Sequence, residues 1–477
     1  MASAEFAHIR VADHAAEALS PLASAAQSRT SPLPPRRWCV SDNWSKLTLV
    51  LIIGYFCMGR AFAYAGLPWF SLYMGELALA SFLLFGPRIK NVRWVRLVRH
   101  VRQLQRFKWL LALLLCYGAF ESLRGMFLGY PAFTAARDTA FNYYPLFLFL
   151  GIWVGLRNRS FLRELVRPLA WWNGCYGIMY VLFLNRVPWA MPGTATVGSV
   201  VPVFSEPLGS AISLLGLLTF EPQLKRVWHL LVLNAVVMLW VQMRAEWLGF
   251  AVGLTLLAWF TKRLKQMAVS GLLLGLLFGF MLVTNLSLPS PEGRGGQISA
   301  DDIIARGVAP VNKDLASDLA PAHNVVGYVG TAAWRLVWWA RIWAQVHESA
   351  SGAWFGFGYG YPIGELNPFL ESGYFIQTPH NDFLYALAYS GWIGVTLFAL
   401  LEFELVRLLW RSYQITGEPF GLVCWAALIT VSMFGDFFEA PMGAIPFYLL
   451  VGVAVAPMAL CAKRDPLQGA VSAPAPA

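Results

Sequence analysis

Apolar stretches of near-spanning length recur from Leu47 to Cys461, separated by short polar and basic connections. The stretches are apolar on all sides, so they predict helices and exclude a β-barrel, whose strands alternate apolar and polar. Backbone in hydrocarbon must satisfy its own hydrogen bonds, which makes each stretch a spanning helix. The predicted spans are 47–66, 69–86, 109–128, 140–156, 169–185, 207–220, 227–242, 246–260, 267–285, 382–406, 420–436 and 442–460. The expected fold is an all-α polytopic membrane protein of about twelve transmembrane helices. It divides into a disordered cytoplasmic tail (1–46), nine spans (47–285), a large periplasmic loop with short interfacial helices (286–379), three further spans (380–461) and a second cytoplasmic tail (462–477).

Composition agrees with that reading: 57% of the 477 residues are apolar and 13% charged, too few charges to solvate a soluble protein of this size. The net charge of +10 would suit nucleic acid if it formed one patch. It forms short clusters between apolar runs instead, which argues against nucleic acid and for topology. With both termini inside, 26 of the 36 Lys and Arg fall on the cytoplasmic side, the positive-inside pattern of a multi-pass inner-membrane protein. Arg93, Arg96, Arg99, Arg102 and Arg106 recur at helical spacing, as on a surface helix lying against anionic membrane lipids. The six cysteines lie in spans or on the cytoplasmic side, so no external disulfide is expected. The first forty residues lack an apolar core and read as neither signal peptide nor folded domain.

The chemistry-bearing residues are those that break this pattern. Ten basic residues remain in or outside the membrane: Arg60, Arg124, Arg137, Arg186, Arg244, Arg294, Arg306, Lys313, Arg335 and Arg341. Arg244 sits between two spans with almost no loop. It is either the holder of an anion or a snorkelling arginine paired with Glu246. Arg335 and Arg341 belong to a Trp-rich segment, Thr331 to Val346, that is too short and too basic to span and reads as an interfacial helix. Both could meet a lipid phosphate or merely anchor the helix. Residues 287–322 are polar, as a lid or a linker would be. Trp354-Phe-Gly-Phe-Gly-Tyr-Gly-Tyr-Pro, which contains Gly358 and Tyr359, offers tight turns and aromatic faces suited to a sugar. No Lys-Ser/Thr follows, so it is not a nucleotide loop. His380, in Pro-His-Asn-Asp, stands at the mouth of the tenth span beside Asn381, either as a helix-end structural residue or as a proton acceptor. No metal-ligand spacing accompanies it, and neither metal nor cofactor is expected.

Taken in order, Met-Arg-Ala-Glu-Trp-Leu-Gly (Arg244), the Arg335 to Trp339 segment, Phe-Gly-Phe-Gly-Tyr-Gly and Pro-His-Asn-Asp-Phe-Leu with Tyr-Ser-Gly-Trp-Ile-Gly resemble the O-antigen ligase and polymerase superfamily over roughly 225–452. Two departures are Met243, where the family commonly has Ser, and Gly352-Ala-Trp-Phe-Gly, where it has Pro-Leu-Phe-Gly. The resemblance implies a periplasmic active site without metal. There a polyprenyl-pyrophosphate-linked glycan is joined to an acceptor hydroxyl, on a growing glycan or on lipid A-core, with inversion at the anomeric centre. It implies that His380, Arg244 and Arg335 are catalytic, with Arg341, Arg137, Arg124, Asn381, Tyr359 and Gly358 as substrate contacts. A transporter or flippase of the same glycolipid is the competing expectation. It predicts charges buried at mid-membrane and broken helices in two related halves.

Overall fold

The computed structural model describes residues 42–63, 66–67, 72–86, 88–89, 92–93, 104–184, 208–241, 243–262, 264–285, 288–289, 297–308, 312, 314–315, 318, 325–367 and 378–461. Most of both expected tails, most of the basic surface helix, and Arg186, Arg294, Lys313 and His323 lie outside the described residues. The described part is helical apart from three antiparallel pairs of two-residue strands: Gly66–Leu67 with Leu72–Tyr73, Arg88–Ile89 with Val92–Arg93, and Leu288–Pro289 with Gln297–Ile298.

Several helices follow the apolar runs closely. Leu208–Phe220, Trp228–Val241, Arg244–Thr261, Leu264–Thr284 and Pro441–Cys461 differ from the predicted spans by a few residues at each end. The chain turns helical at Asn43, inside the expected tail, because Asp42 accepts hydrogen bonds from the Trp44 and Ser45 amides at 3.0 and 3.1 Å. Elsewhere the apolar run is longer than its helix. The predicted span 47–66 stops at Met58, before Gly59 with φ 50°, and 420–436 stops at Ser432. Among the described residues, four helical stretches are long and apolar enough to cross a membrane: Gln105–Phe127, Ala132–Arg157, Asp382–Thr416 and Pro441–Met458. Five more apolar helices are shorter.

The core is made by close crossings. Pro441–Cys461 packs on Phe147–Arg157, where a Cβ on Gly151 would fall 2.3 Å from the Leu449 carbonyl oxygen and one on Gly452 2.4 Å from that of Leu148. Small residues let the backbones meet and gain dispersion contacts, the packing available to helices surrounded by lipid. Arg244–Thr261 packs on Phe420–Ser432, with Gly249 against Ala427 and Val431, so the Arg244 end of one helix meets the Ser432 end of the other. Glu402, buried along Asp382–Thr416, accepts from Trp425 Nε1 at 2.8 Å and from the Tyr448 hydroxyl at 2.9 Å, tying three helices together.

Asp382–Thr416 has 35 residues and one interruption, Gly391 at φ 59° and ψ −166°. An unbroken helix of that length would be about 52 Å long, well beyond a hydrocarbon core of ~30 Å. The interruption separates a short first piece carrying the His380 motif from a longer piece of spanning length.

Candidate active site at the mouth of the Asp382 helix

The helix start is organised residue by residue. Asn381 is extended and accepts the Leu384 amide at 2.9 Å, a side-chain cap that satisfies one of the orphan donors of the first turn. His380, just before it, has φ 51°. A non-glycine residue in that region carries strain of about 1–3 kcal/mol, which the surroundings must hold in place. They do so from two sides. On one, Trp339 Nε1 donates to the Pro379 carbonyl at 2.7 Å. On the other stands the connection after Ser432: His380 Nδ1 lies 2.8 Å from Asp436 Oδ1, Asn381 Nδ2 donates to the Met433 carbonyl at 3.0 Å, and Asp382 accepts the Phe437 and Phe438 amides at 3.3 and 2.9 Å.

Arg335 joins the same connection, donating from Nη1 to the Phe434 carbonyl at 3.1 Å. It lies on Val325–Val346, the expected interfacial helix, which begins earlier than Thr331. Burial pulls the Arg335 guanidinium below its ordinary pKa, Asp436 opposes that pull and Arg244 adds to it. Arg335 therefore stands within electrostatic reach of both Asp436 and Arg244. Two guanidiniums in reach of one another have the chemistry to accept an anion carrying more than one charge. Behind them, burial pushes the Glu439 carboxyl well above the usual carboxylate range, and Asp436, Asp382 and Asp138 push it the same way. A neutral imidazole donating from Nδ1 to Asp436 leaves Nε2 as the accepting nitrogen, the arrangement of an oriented general base.

The glycine stretch docks on the interruption at Gly391. Breaking the helix there releases the carbonyls that would have met the following turn. Phe357 N donates to Ala388 O at 2.7 Å, Gly358 N to Tyr389 O at 3.0 Å, and the Tyr117 hydroxyl to Ser390 O at 2.7 Å. A Cβ on Gly391 would lie 2.3 Å from the Trp354 carbonyl oxygen, and one on Gly125 1.9 Å from that of Tyr359, so both positions need glycine. Arg124 clamps the stretch from outside, through Glu121 at 2.7 Å and the Phe355 and Gly356 carbonyls at 2.6 and 2.9 Å. Tyr359 is buried and donates to Asn142 Oδ1 at 2.5 Å, while the Gly360 amide donates to Asp138 at 3.0 Å.

Residues 229–399 match the family described as O-antigen ligase. The matched stretch covers 171 of the 477 residues. None of the curated proteins matches the chain. The matched stretch contains Arg244, Arg335, Arg341, Gly358, Tyr359, His380 and Asn381, whereas Arg124, Arg137 and Asp436 lie outside it.

Of the residues singled out in sequence, the structure gathers Arg244, Arg335, His380 and Asn381 around the start of the Asp382–Thr416 helix. Gly358, Tyr359 and Arg124 stand together at the docked glycine stretch. Arg137 is half-exposed, 3.8 Å from Asp138. Arg341 is exposed, on a different face of its helix from the buried Trp338 and Ile342. Sequence reasoning missed Asp382, Asp436 and Glu439. For Asp436 and Glu439 the signal was present in Gly435-Asp-Phe-Phe-Glu-Ala-Pro, one carboxylate ending the predicted span 420–436 and one in the connection after it, at the end where the twelve-span scheme puts the unexplained arginines.

Proposed function

We propose that the protein is a membrane glycosyltransferase that takes a glycan from a polyprenyl-pyrophosphate carrier and joins it to an acceptor hydroxyl at the periplasmic face of the bacterial inner membrane. The acceptor is either the end of a growing polysaccharide or lipid A-core. The observation that carries this reading is the meeting of Arg244, Arg335, Asp436 and His380 at one helix mouth, within and beside the ligase-family match. Arg244 and Arg335 hold the pyrophosphate. The acceptor oxygen attacks the anomeric carbon from the face opposite the carrier, and its proton passes to His380 Nε2. The bond from that carbon to the phosphate oxygen breaks, its electron pair leaves with the polyprenyl pyrophosphate, and the two guanidiniums stabilise the charge that develops. The anomeric centre inverts. Asp436 orients the imidazole and stabilises its cation, and Arg341 and Arg137 remain candidate contacts to the sugar or carrier beyond this centre. The test is purified protein incubated with lipid-linked oligosaccharide and each candidate acceptor, with transfer followed on a gel. Transfer to glycan ends supports a polymerase, transfer to lipid A-core a ligase, and turnover with neither overturns the reading.

A further inference from the structure

We infer that Asp382 is a positioning residue for the proposed transfer, holding the Asp436 loop in register so that Asp436 can orient His380. Asp382 is 2% exposed and takes the Phe438 and Phe437 amides at 2.9 and 3.3 Å. These are the two residues that follow Asp436 in the chain. The remaining contacts place the loop by neighbouring residues: Asn381 holds Met433 O at 3.0 Å and Arg335 holds Phe434 O at 3.1 Å. Asp436 thus lies between an anchored stretch before it and the Asp382 anchor after it. Three consecutive residues of one motif, His380, Asn381 and Asp382, grip three points of a segment more than fifty positions later in the chain. A carboxylate receiving two successive backbone amides fixes their orientation more tightly than either bond alone, because both of its oxygens are engaged. The Asp436 carboxylate therefore inherits its position from a side chain that is itself buried. This role rests on the transfer reading above.

The test is a double-mutant cycle on the full-length protein in nanodiscs, with lipid-linked glycan extracted from the source membranes as donor, glycan ends or lipid A-core as acceptor, and release of polyprenyl pyrophosphate as the readout. Asp382→Asn should lower kcat by about ten- to a hundredfold, because small misplacements of a reacting group cost that much. The affinity for polyprenyl pyrophosphate alone should stay within about twofold. In an Asp436→Asn background the same change should cost less than about twofold, since the two act through one contact. Equal losses in both backgrounds would overturn the positioning role. Should Asp382→Asn not fold, hydrogen exchange of the wild-type protein decides: the Phe437 and Phe438 amides should be strongly protected, and rapid exchange there would overturn the inference. An inactive wild-type protein overturns the transfer reading and this role with it, whereas an active wild type with additive losses overturns this role alone.

Discussion

Arg124 and Arg335 both donate to backbone carbonyls of a loop from another part of the chain, and their charges are handled in opposite ways. Arg124 has Glu121 one helical turn away at 2.7 Å, with the glutamate side chain fully buried, and spends its other contacts on Phe355 and Gly356. Its charge is neutralised locally, and its work is to fasten the glycine stretch. Arg335 is set beside a second cation, Arg244, and shares Asp436 with His380. Two guanidiniums within electrostatic reach of each other repel, and Asp436 offsets part of that repulsion. Such an arrangement makes sense where an anionic ligand completes it. The same residue type is thus a fastener where a glutamate one turn away meets its charge, and stands in reach of both a carboxylate and a second guanidinium beside His380.

The sharpest way to break this comparison lies at His380. His380→Ala should lower transfer by a factor on the order of a hundred or more while donor binding survives, because positioned proton transfer is worth that much. Unchanged transfer would remove His380 from the centre. Next comes Arg335→Ala, expected to weaken donor binding by about ten- to a hundredfold, the worth of a charge-assisted hydrogen bond or two. Arg335→Lys should restore part of the loss, as a point charge cannot form the guanidinium fork. Titration with polyprenyl pyrophosphate checks this, and an affinity equal to wild type in the alanine variant would dissolve the contrast with Arg124.

Arg124→Ala should act on stability, by about 2 kcal/mol, because it leaves the buried Glu121 carboxylate without its partner. Thermal unfolding in detergent measures this, and a loss of donor affinity at unchanged unfolding temperature would move Arg124 into the binding group. The smallest effect is expected at Glu402→Gln, about 1 kcal/mol, since the amide oxygen still accepts one of the two hydrogen bonds from Trp425 and Tyr448. Transfer abolished with unfolding unchanged would instead make Glu402 a functional group at mid-membrane and favour the transporter expectation.

Helix positions were legible wherever a long apolar run is bounded by charges or turn residues. Leu208–Phe220 and Pro441–Cys461 follow the runs predicted for them almost residue for residue. The interruption at Gly391 was not. Tyr-Ser-Gly-Trp-Ile-Gly reads as ordinary apolar helix, and only the docking of Phe357 and Gly358 on the freed carbonyls makes breaking it favourable. The cations of the site were visible because they oppose the charge bias of the loops. Asp436 was invisible by that criterion, since the bias counts Lys and Arg while Asp436 is the last residue of the predicted span 420–436, and its pairing with His380 spans more than fifty residues of chain. The buried position of Tyr359 was hidden for a similar reason. A tyrosine between glycines looks like a platform for a sugar until Asn142 takes up its hydroxyl.

The break at Gly391 has an evolutionary side. Its first piece, Asp382 to Ser390, is oriented by the glycine stretch and by the Asp436 loop, whereas the piece after Gly391 is oriented by its neighbours in the bundle. One residue inserted into the later piece would turn everything beyond it by about 100° in a continuous helix. Here the swivel at Gly391 would absorb that turn before it reached His380. The His380 motif is thereby uncoupled from rotation of the helix piece that follows Gly391, so a change in the length of that piece need not turn His380 away from Asp436.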